Sequence, residues 1–384
     1  MNKTVFTKFI SIAVLAAGSF IIAACSPNQS PLKPQSVALN ASETLGKSLF
    51  FDARLSSPAG QSCASCHSPA HGFSHPKREQ ATAEGAVKGL FGNRNAPTIS
   101  YIGFTPDLHK ITEDGETLYI GGFFLDGREK TLQDQAIQPI LNPLEMGVKD
   151  EASLVKKIKA AGYEPEFKKV YGPDSLDNTR LAIQNITNAI ASYQRSKELS
   201  PFNSKYDAYL AGKTQLTKKE QLGLQLFEAE DKGNCAACHP SKIDKASGFP
   251  PLFTDYSYDN LGLPANRKNP FFNNPTQYNP LSSGYKDQGM GQVIEGENGK
   301  FKVPTLRNIA LTAPYMHNGI FNTLEEAVSF YNTRDTDAKW GQAEIEKNVN
   351  KHELGDLKLT DSEIDAIVSF LKTLSDGYQI PAIN

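Results

Sequence analysis

Cys63-Ala64-Ser65-Cys66-His67 and Cys235-Ala236-Ala237-Cys238-His239 are two copies of one pattern, Cys-x-x-Cys-His. The chain has five cysteines. Four lie in these copies and the fifth, Cys25, stands near the N-terminus, so none is left over for a disulfide. By composition, one such motif arises by chance in roughly one chain in a thousand, and two far less often. Two thiols at this spacing meet the two vinyl groups of one haem and form thioethers. The adjacent imidazole then falls under the iron as the proximal ligand. The alternatives are a zinc site or a thiol–disulfide pair. A structural zinc site closes on four ligands, whereas here each cysteine pair carries its own histidine. A redox Cys-x-x-Cys needs no histidine beside it. Both motifs therefore read as sites of covalent haem c, so the expected cofactors are two haem c groups.

The sequence ahead of each motif also repeats. Leu45-Gly46-x-x-Leu49-Phe50 precedes the first and Leu222-Gly223-x-x-Leu226-Phe227 the second. Each predicts a short helix whose glycine lets another helix approach closely, with the aromatic packed beside the haem. Each half ends in an amphipathic helix. In the first half Ile183, Ile186, Ala189, Ile190 and Tyr193 recur at helical spacing. In the second, Thr360-x-x-Glu363 is a capping box ahead of Ile364, Ile367, Val368 and Leu371. An early helix, a haem loop and a late helix make one cytochrome c unit. The expected fold is mainly α: two tandem cytochrome c-like haem domains with long loops, at 41–200 and 201–384.

Residues 1–24 read as a leader. Lys3 and Lys8 precede an apolar stretch from Phe9 to Ala24 that ends Ile22-Ala23-Ala24-Cys25, a lipoprotein-type cleavage box. About 16 apolar residues are few for a ~30 Å hydrocarbon core, so the stretch reads as a cleaved signal rather than a span. Cys25 would carry the lipid, anchoring the chain without crossing the bilayer. Ser26 after it points to the outer membrane. Residues 25–40, polar and proline-rich, read as a tether. The expected location is the periplasm, with membrane contact only through the lipid. Hydrophobic residues make up 39% and charged residues 21% of the chain, which suits a packed core rather than disorder. The net charge is −2, and no basic run fits a nucleic-acid partner.

Seven stretches resemble the bacterial di-haem cytochrome c peroxidase/MauG family. They are Leu45-Gly-Lys-Ser-Leu-Phe-Phe-Asp-Ala-Arg-Leu-Ser56, Arg94-Asn-Ala-Pro-Thr98, Leu125-Asp-Gly-Arg128, Asn142-Pro-Leu-Glu-Met146, Phe301-Lys-Val-Pro-Thr-Leu-Arg-Asn308, Leu311-Thr-Ala-Pro-Tyr315 and Leu324-Glu-Glu-Ala-Val-Ser-Phe-Tyr331. They keep the family's order across nearly the whole chain beyond the leader. The resemblance implies a peroxidatic haem on His67 and an electron-relay haem on His239. Glu145 matches the family's distal glutamate, and Gln135 and Pro139 match other positions over the peroxidatic iron. A carboxyl group there has a clear task. Splitting the peroxide O–O bond needs a proton taken from the near oxygen and given to the departing one. An apolar haem pocket should raise the pKa of Glu145. From the residues alone, Glu145 would read as an ordinary solvated loop carboxylate.

Three departures from the family pattern matter. The histidine that blocks the peroxidatic iron in older members is replaced by Val87, which implies an iron open without reductive priming. His71 and His75 follow the first motif closely and read as polar loop residues, with a swing onto the iron as the alternative. Where peroxidases proper place a methionine as the relay ligand, this chain has Tyr331, as MauG-type members do. A phenolate stabilises ferric and higher oxidation states, whereas a thioether raises the potential. Met316 and Met290 are the alternative ligands. The tryptophan expected between the haems is Leu125, which leaves Phe123, Phe124, Tyr119 or direct tunnelling to couple them. The chain's one tryptophan, Trp340, reads as a packing residue or a surface relay.

The resemblance also implies one calcium ion, held by the Asn95 side chain and the Thr312 and Pro314 carbonyls, a hard-oxygen set suited to calcium. It points to a homodimer as well. The leading expectation is a peroxidase reducing hydrogen peroxide with electrons from a small periplasmic cytochrome c or cupredoxin. The rivals are a MauG-type oxidase acting on a partner protein and a di-haem electron carrier without catalysis.

Overall fold

This computed structural model describes residues 38–113, 115–245 and 248–380. The leader, Cys25 and nearly all of the tether lie outside the described residues. From Leu39 onward the chain packs as one compact unit.

Two helix pairs organise it. Helix α1 (Ala41–Phe51) begins at Asn40, whose side chain accepts from the Glu43 amide while Glu43 reaches back to the Asn40 amide. This reciprocal cap satisfies donors that would otherwise lack partners. The short α2 (Cys63–Cys66) carries the first haem motif. A hairpin follows, β1 (His109–Glu113) against β2 (Glu116–Ile120), antiparallel with Glu113 opposite Glu116. Then come α3 (Leu132–Leu141), α4 (Glu151–Ala160), α5 (Glu164–Tyr171) and the long α6 (Thr179–Gln194). The second half has α7 (Lys205–Leu210), α8 (Lys218–Glu228), and a minimal antiparallel pair, β3 (Tyr258–Asp259) with β4 (Phe301–Lys302). It closes with α9 (Leu324–Thr333) and α10 (Asp361–Lys372), the latter started by the Thr360–Glu363 capping box.

Helix α1 crosses α6, and α8 crosses α10, by the same device. A methyl group on Gly46 would lie 1.9 Å from the Ala189 carbonyl oxygen, and one on Gly223 would lie 2.0 Å from that of Ala366. Only glycine allows such contact. Four residues later, Phe50 packs on Tyr193 and Phe227 on Phe370, with ring centroids 5.4 and 5.2 Å apart. All four aromatic side chains are fully buried. Glycine and aromatic lie on one helix face at i and i+4, so a single crossing serves both domains. Gly223→Ala is expected to lower the melting temperature by several degrees. Overpacking costs ~1–3 kcal/mol even when side chains can yield, and here the obstacle is backbone. An unchanged thermal unfolding curve would contradict the crossing.

The halves are joined by buried polar groups as well as apolar ones. Arg307 is 1% exposed and makes a forked pair with Asp207 at 2.9 and 3.0 Å. Its guanidinium also lies over the rings of Tyr101 and Phe202. Tyr101 hydrogen-bonds Asp376, which in turn accepts from Asn308. Burial pushes the Asp207 carboxyl up, but Arg307 outweighs it and holds that group below its ordinary value.

Candidate functional site

The two haem motifs are built alike. The His67 Nδ1–H donates to the carbonyls of Pro97 (3.0 Å) and Phe73 (3.2 Å), and the His239 Nδ1–H donates to that of Phe253 (2.7 Å). A carbonyl can only accept, so Nδ1 carries the proton and Nε2 is left free as a metal ligand. Phe73 and Phe253 both adopt left-handed backbone, φ 56° and 54°, a region uncommon for bulky residues. The same strained turn aims the same carbonyl in each domain. Burial lowers the pKa of both imidazoles, His239 to about 4, so both are neutral and ready to bind iron. Burial also pushes Cys63, Cys66 and Cys235 up to about 12, and Cys238 up further. All four thiols are free of disulfides.

A second repeat frames these histidines. Ala96-Pro97-Thr98-Ile99-Ser100-Tyr101-Ile102 matches Val303-Pro304-Thr305-Leu306-Arg307-Asn308-Ile309. The Thr98 hydroxyl donates to the Gly72 carbonyl and that of Thr305 to the Leu252 carbonyl. Each threonine thus fastens its strand one residue before the phenylalanine that holds the histidine. Sequence reasoning passed over this repeat, although it is visible in the residues.

Beside the first motif stands Glu145. Helix α3 carries Gln135 and Pro139 four positions apart, on one face, and its C-cap Asn142 starts the turn to Glu145. The Asn142 carbonyl accepts from the amides of Glu145 and Gly147, and its Nδ2 donates to Glu145 Oε1 at 3.0 Å. Asn142 therefore aims the carboxyl, a role not foreseen from the sequence. Burial raises the Glu145 pKa, while the Arg128 charge and the Asn142 hydrogen bond oppose it. After burial, the Glu145 charge is a further cause of the raised Cys63 and Cys66 values, so the carboxyl lies close enough to the motif for its charge to be felt there. The loop holding Val87 packs directly on this turn. The Ala86 amide donates to the Glu145 carbonyl at 2.6 Å, and a methyl on Gly85 would lie 2.3 Å from the Leu144 carbonyl oxygen. Val87 itself is 40% exposed. His71 bonds Ser68. His75 is not a polar loop residue facing water: it is 2% exposed and pushed to about 4 by burial and then by nearby Lys77 and His67.

The second motif opens into a cavity of about 260 Å³ lined by Cys235, Cys238 and His239, with apolar walls that include Leu306, Leu324, Val328 and Leu371. Tyr331, from α9, and Met316 both line it; Met290 is fully buried and is not among the lining residues. Burial pushes the Tyr331 phenol far up, so only a cation at its oxygen would make it a phenolate. Thiols, a neutral imidazole and an oxygen or sulfur donor in one apolar cavity fit a haem c. Leu125 lines the same cavity, and its carbonyl accepts from the Lys302 amide. Phe123 is buried, Phe124 lies under the Arg128 guanidinium, and Tyr119 sits on β2. Trp340 packs on Phe321 and Phe330 and donates from Nε1 to Thr333. Asn95, Thr312 and Pro314 all line the cavity, and Asn95 meets the Pro314 carbonyl.

Known proteins resemble the chain along its length. Residues 40–215 match the family described as di-haem cytochrome c peroxidase, and residues 220–375 match cytochrome c. The methylamine utilization protein MauG of Paracoccus denitrificans is 35% identical over 97% of this chain and 97% of its own. The chain belongs to the di-haem cytochrome c peroxidase/MauG family. Cytochrome c551 peroxidase of Nitrosomonas europaea is 32% identical over 97% of this chain and 91% of its own. In structure, the diheme peroxidase BthA of Burkholderia thailandensis matches with a TM-score of 0.76 and 33% identity, covering 88% of this chain and 86% of that one. This di-haem family member thus has two tandem haem domains in a mainly α fold and stands among oxidoreductases named both as peroxidases and as MauG. No helix among the described residues is long and apolar enough to cross a membrane.

Proposed function

We propose that the chain reduces hydrogen peroxide to water above the haem on His67, with electrons from a small periplasmic cytochrome c or cupredoxin entering through the haem on His239. The observation that carries this is the Glu145 carboxyl, held by Asn142 and near enough to Cys63 and Cys66 for its charge to act on both. A carrier has no use for a buried carboxyl at a haem. When bound, the haem supplies an iron that takes up peroxide and the electrons that break its O–O bond. Glu145 receives the proton of the near oxygen and passes it to the departing oxygen, which leaves as water. Gln135 and Pro139, on one face of α3, would bound the space, Gln135 as a polar group to orient peroxide and Pro139 as an apolar wall. His67 would hold the haem iron through its free Nε2.

Tyr331 supports a second reading, a MauG-type oxidase that takes electrons from side chains of a protein substrate. A phenolate ligand keeps oxidising equivalents in place. Stopped-flow mixing with peroxide separates the two. Rapid steady turnover with reduced small cytochrome supports the peroxidase. A slow, long-lived oxidised state discharged only by a protein substrate supports the oxidase, and a spectrum unmoved by peroxide removes both.

The calcium reading rests on Asn95. Its Nδ2 lies 2.5 Å from the Pro314 carbonyl, while its Oδ1 is buried without a partner. Turning the amide would set Oδ1 beside the Pro314 carbonyl, and with the Thr312 carbonyl and water this makes an oxygen cage for calcium. Chelation is expected to slow electron passage from the donor while both haems stay attached; full turnover after verified calcium loss would contradict the assignment. We place the reaction in the periplasm, with Cys25 as the lipid anchor, and propose a homodimer.

A further inference from the structure

Glu344 lies between two cavities. It lines the haem cavity that holds His239, and it also lines a small cavity of about 10 Å³, where Asp287, His317 and Asn318 bring polar atoms beside Phe271, Phe272 and Tyr285. That volume suits about one water molecule. Two polar atoms of its lining residues have no protein partner, His317 Nε2 and Asn318 Oδ1. Asn318 is 6% exposed, and its Nδ2 is already spent on the Pro264 carbonyl. His317 is fixed by stacking on Phe301 at 3.7 Å. Buried polar atoms rarely stay unmatched, and one water would serve both.

We propose that Glu344 and a water in this small cavity form a proton-loading site for the second haem. An electron arriving from the donor adds negative charge to a low-dielectric cavity, and a proton from solvent, passed by the water to the Glu344 carboxylate, offsets it. When the electron moves on, the proton returns.

The charged groups around Glu344 favour this role. Burial, and then the Asp287 charge, push its carboxyl up to about 7; the Asp287 amide, Arg267 and Lys286 pull the other way. Asp287 cannot take the proton in its place, because Arg94 grips it through Nε and Nη2 at 2.6 and 2.7 Å. Asp259, Glu353 and Lys302 line the same haem cavity; Asp259 and Glu353 share Asn350, and Lys302 donates to the Gly122 carbonyl. The inference rests on a haem filling the cavity. It does not depend on peroxide chemistry or on which residue opposes His239.

The test is spectroelectrochemical titration of the second haem in the holoprotein from about pH 6 to about pH 8. The wild-type midpoint is expected to fall as pH rises, because the ionised carboxylate favours the oxidised haem. Glu344→Gln is expected to flatten that dependence and to match the wild type only at the acid end. An unaltered slope in the variant overturns the proposal. The wild type gives an independent reading: its reduced-minus-oxidised infrared spectrum should gain a protonated carboxyl band, and absence of that band overturns the proposal too.

Discussion

Glu145→Gln should slow peroxide cleavage by roughly 10²–10⁴-fold, the usual contribution of a positioned acid–base group, with both haems still attached. Glutamine keeps the shape and can still meet the Asn142 amide region, but it cannot carry a proton between two oxygens. The pH dependence has a defined sign. Glu145 must be ionised to accept the first proton, and burial raises its pKa above the ordinary 4.5. Cleavage in the wild type should therefore rise with pH through that raised value, and the limb should vanish in the glutamine variant. Stopped-flow peroxide binding and turnover, with haem content checked by pyridine spectra, decide it. Wild-type rates in the variant would remove Glu145 from the chemistry.

Tyr331→Met should raise the potential of the second haem by a sizeable part of the ~0.8 V that axial ligands command. With Tyr331 as the proposed ligand, a neutral thioether would replace an anionic oxygen, and the ferric state would lose its stabilisation. The cavity is apolar and buried around Tyr331, which strengthens any charge interaction inside it. Peroxide would then meet a relay that donates electrons less readily, and any persistent oxidised state should shorten. Met316 lines the same cavity, so Met316→Leu is the control and should leave the potential in place. An unchanged spectrum in Tyr331→Met, with a changed one in Met316→Leu, would make Met316 the ligand.

Local pattern carried much of the fold. Gly46 and Gly223 foretold a close helix approach in each half, but Phe50 and Phe227, expected beside the haems, also pack into the crossings on Tyr193 and Phe370. The Thr360–Glu363 cap and the apolar faces of α6 and α10 were legible too. The β1–β2 hairpin was missed, although Asp114-Gly115 between residues of strand type is a strong two-residue turn signal. What local pattern could not show is the choice of distant partners. Arg307 read as one basic residue in a family stretch, yet it is fully buried against Asp207, 100 residues away. Asn142 read as part of a motif, yet its amide aims Glu145. Glu344 carried no signal at all, since its place between two cavities is set by tertiary packing. His75 read as a polar loop residue and is buried, because the loop folds back to place its amide on the Ala96 carbonyl.

Low-temperature electron paramagnetic resonance of the ferric holoprotein puts the proposed open coordination position at the His67 haem to the most direct test. One high-spin iron and one low-spin iron, with the high-spin signal alone altered by added peroxide, is the expected result. Two low-spin irons that ignore peroxide would mean that protein atoms close both faces of both haems, and Glu145 would have nothing to act upon.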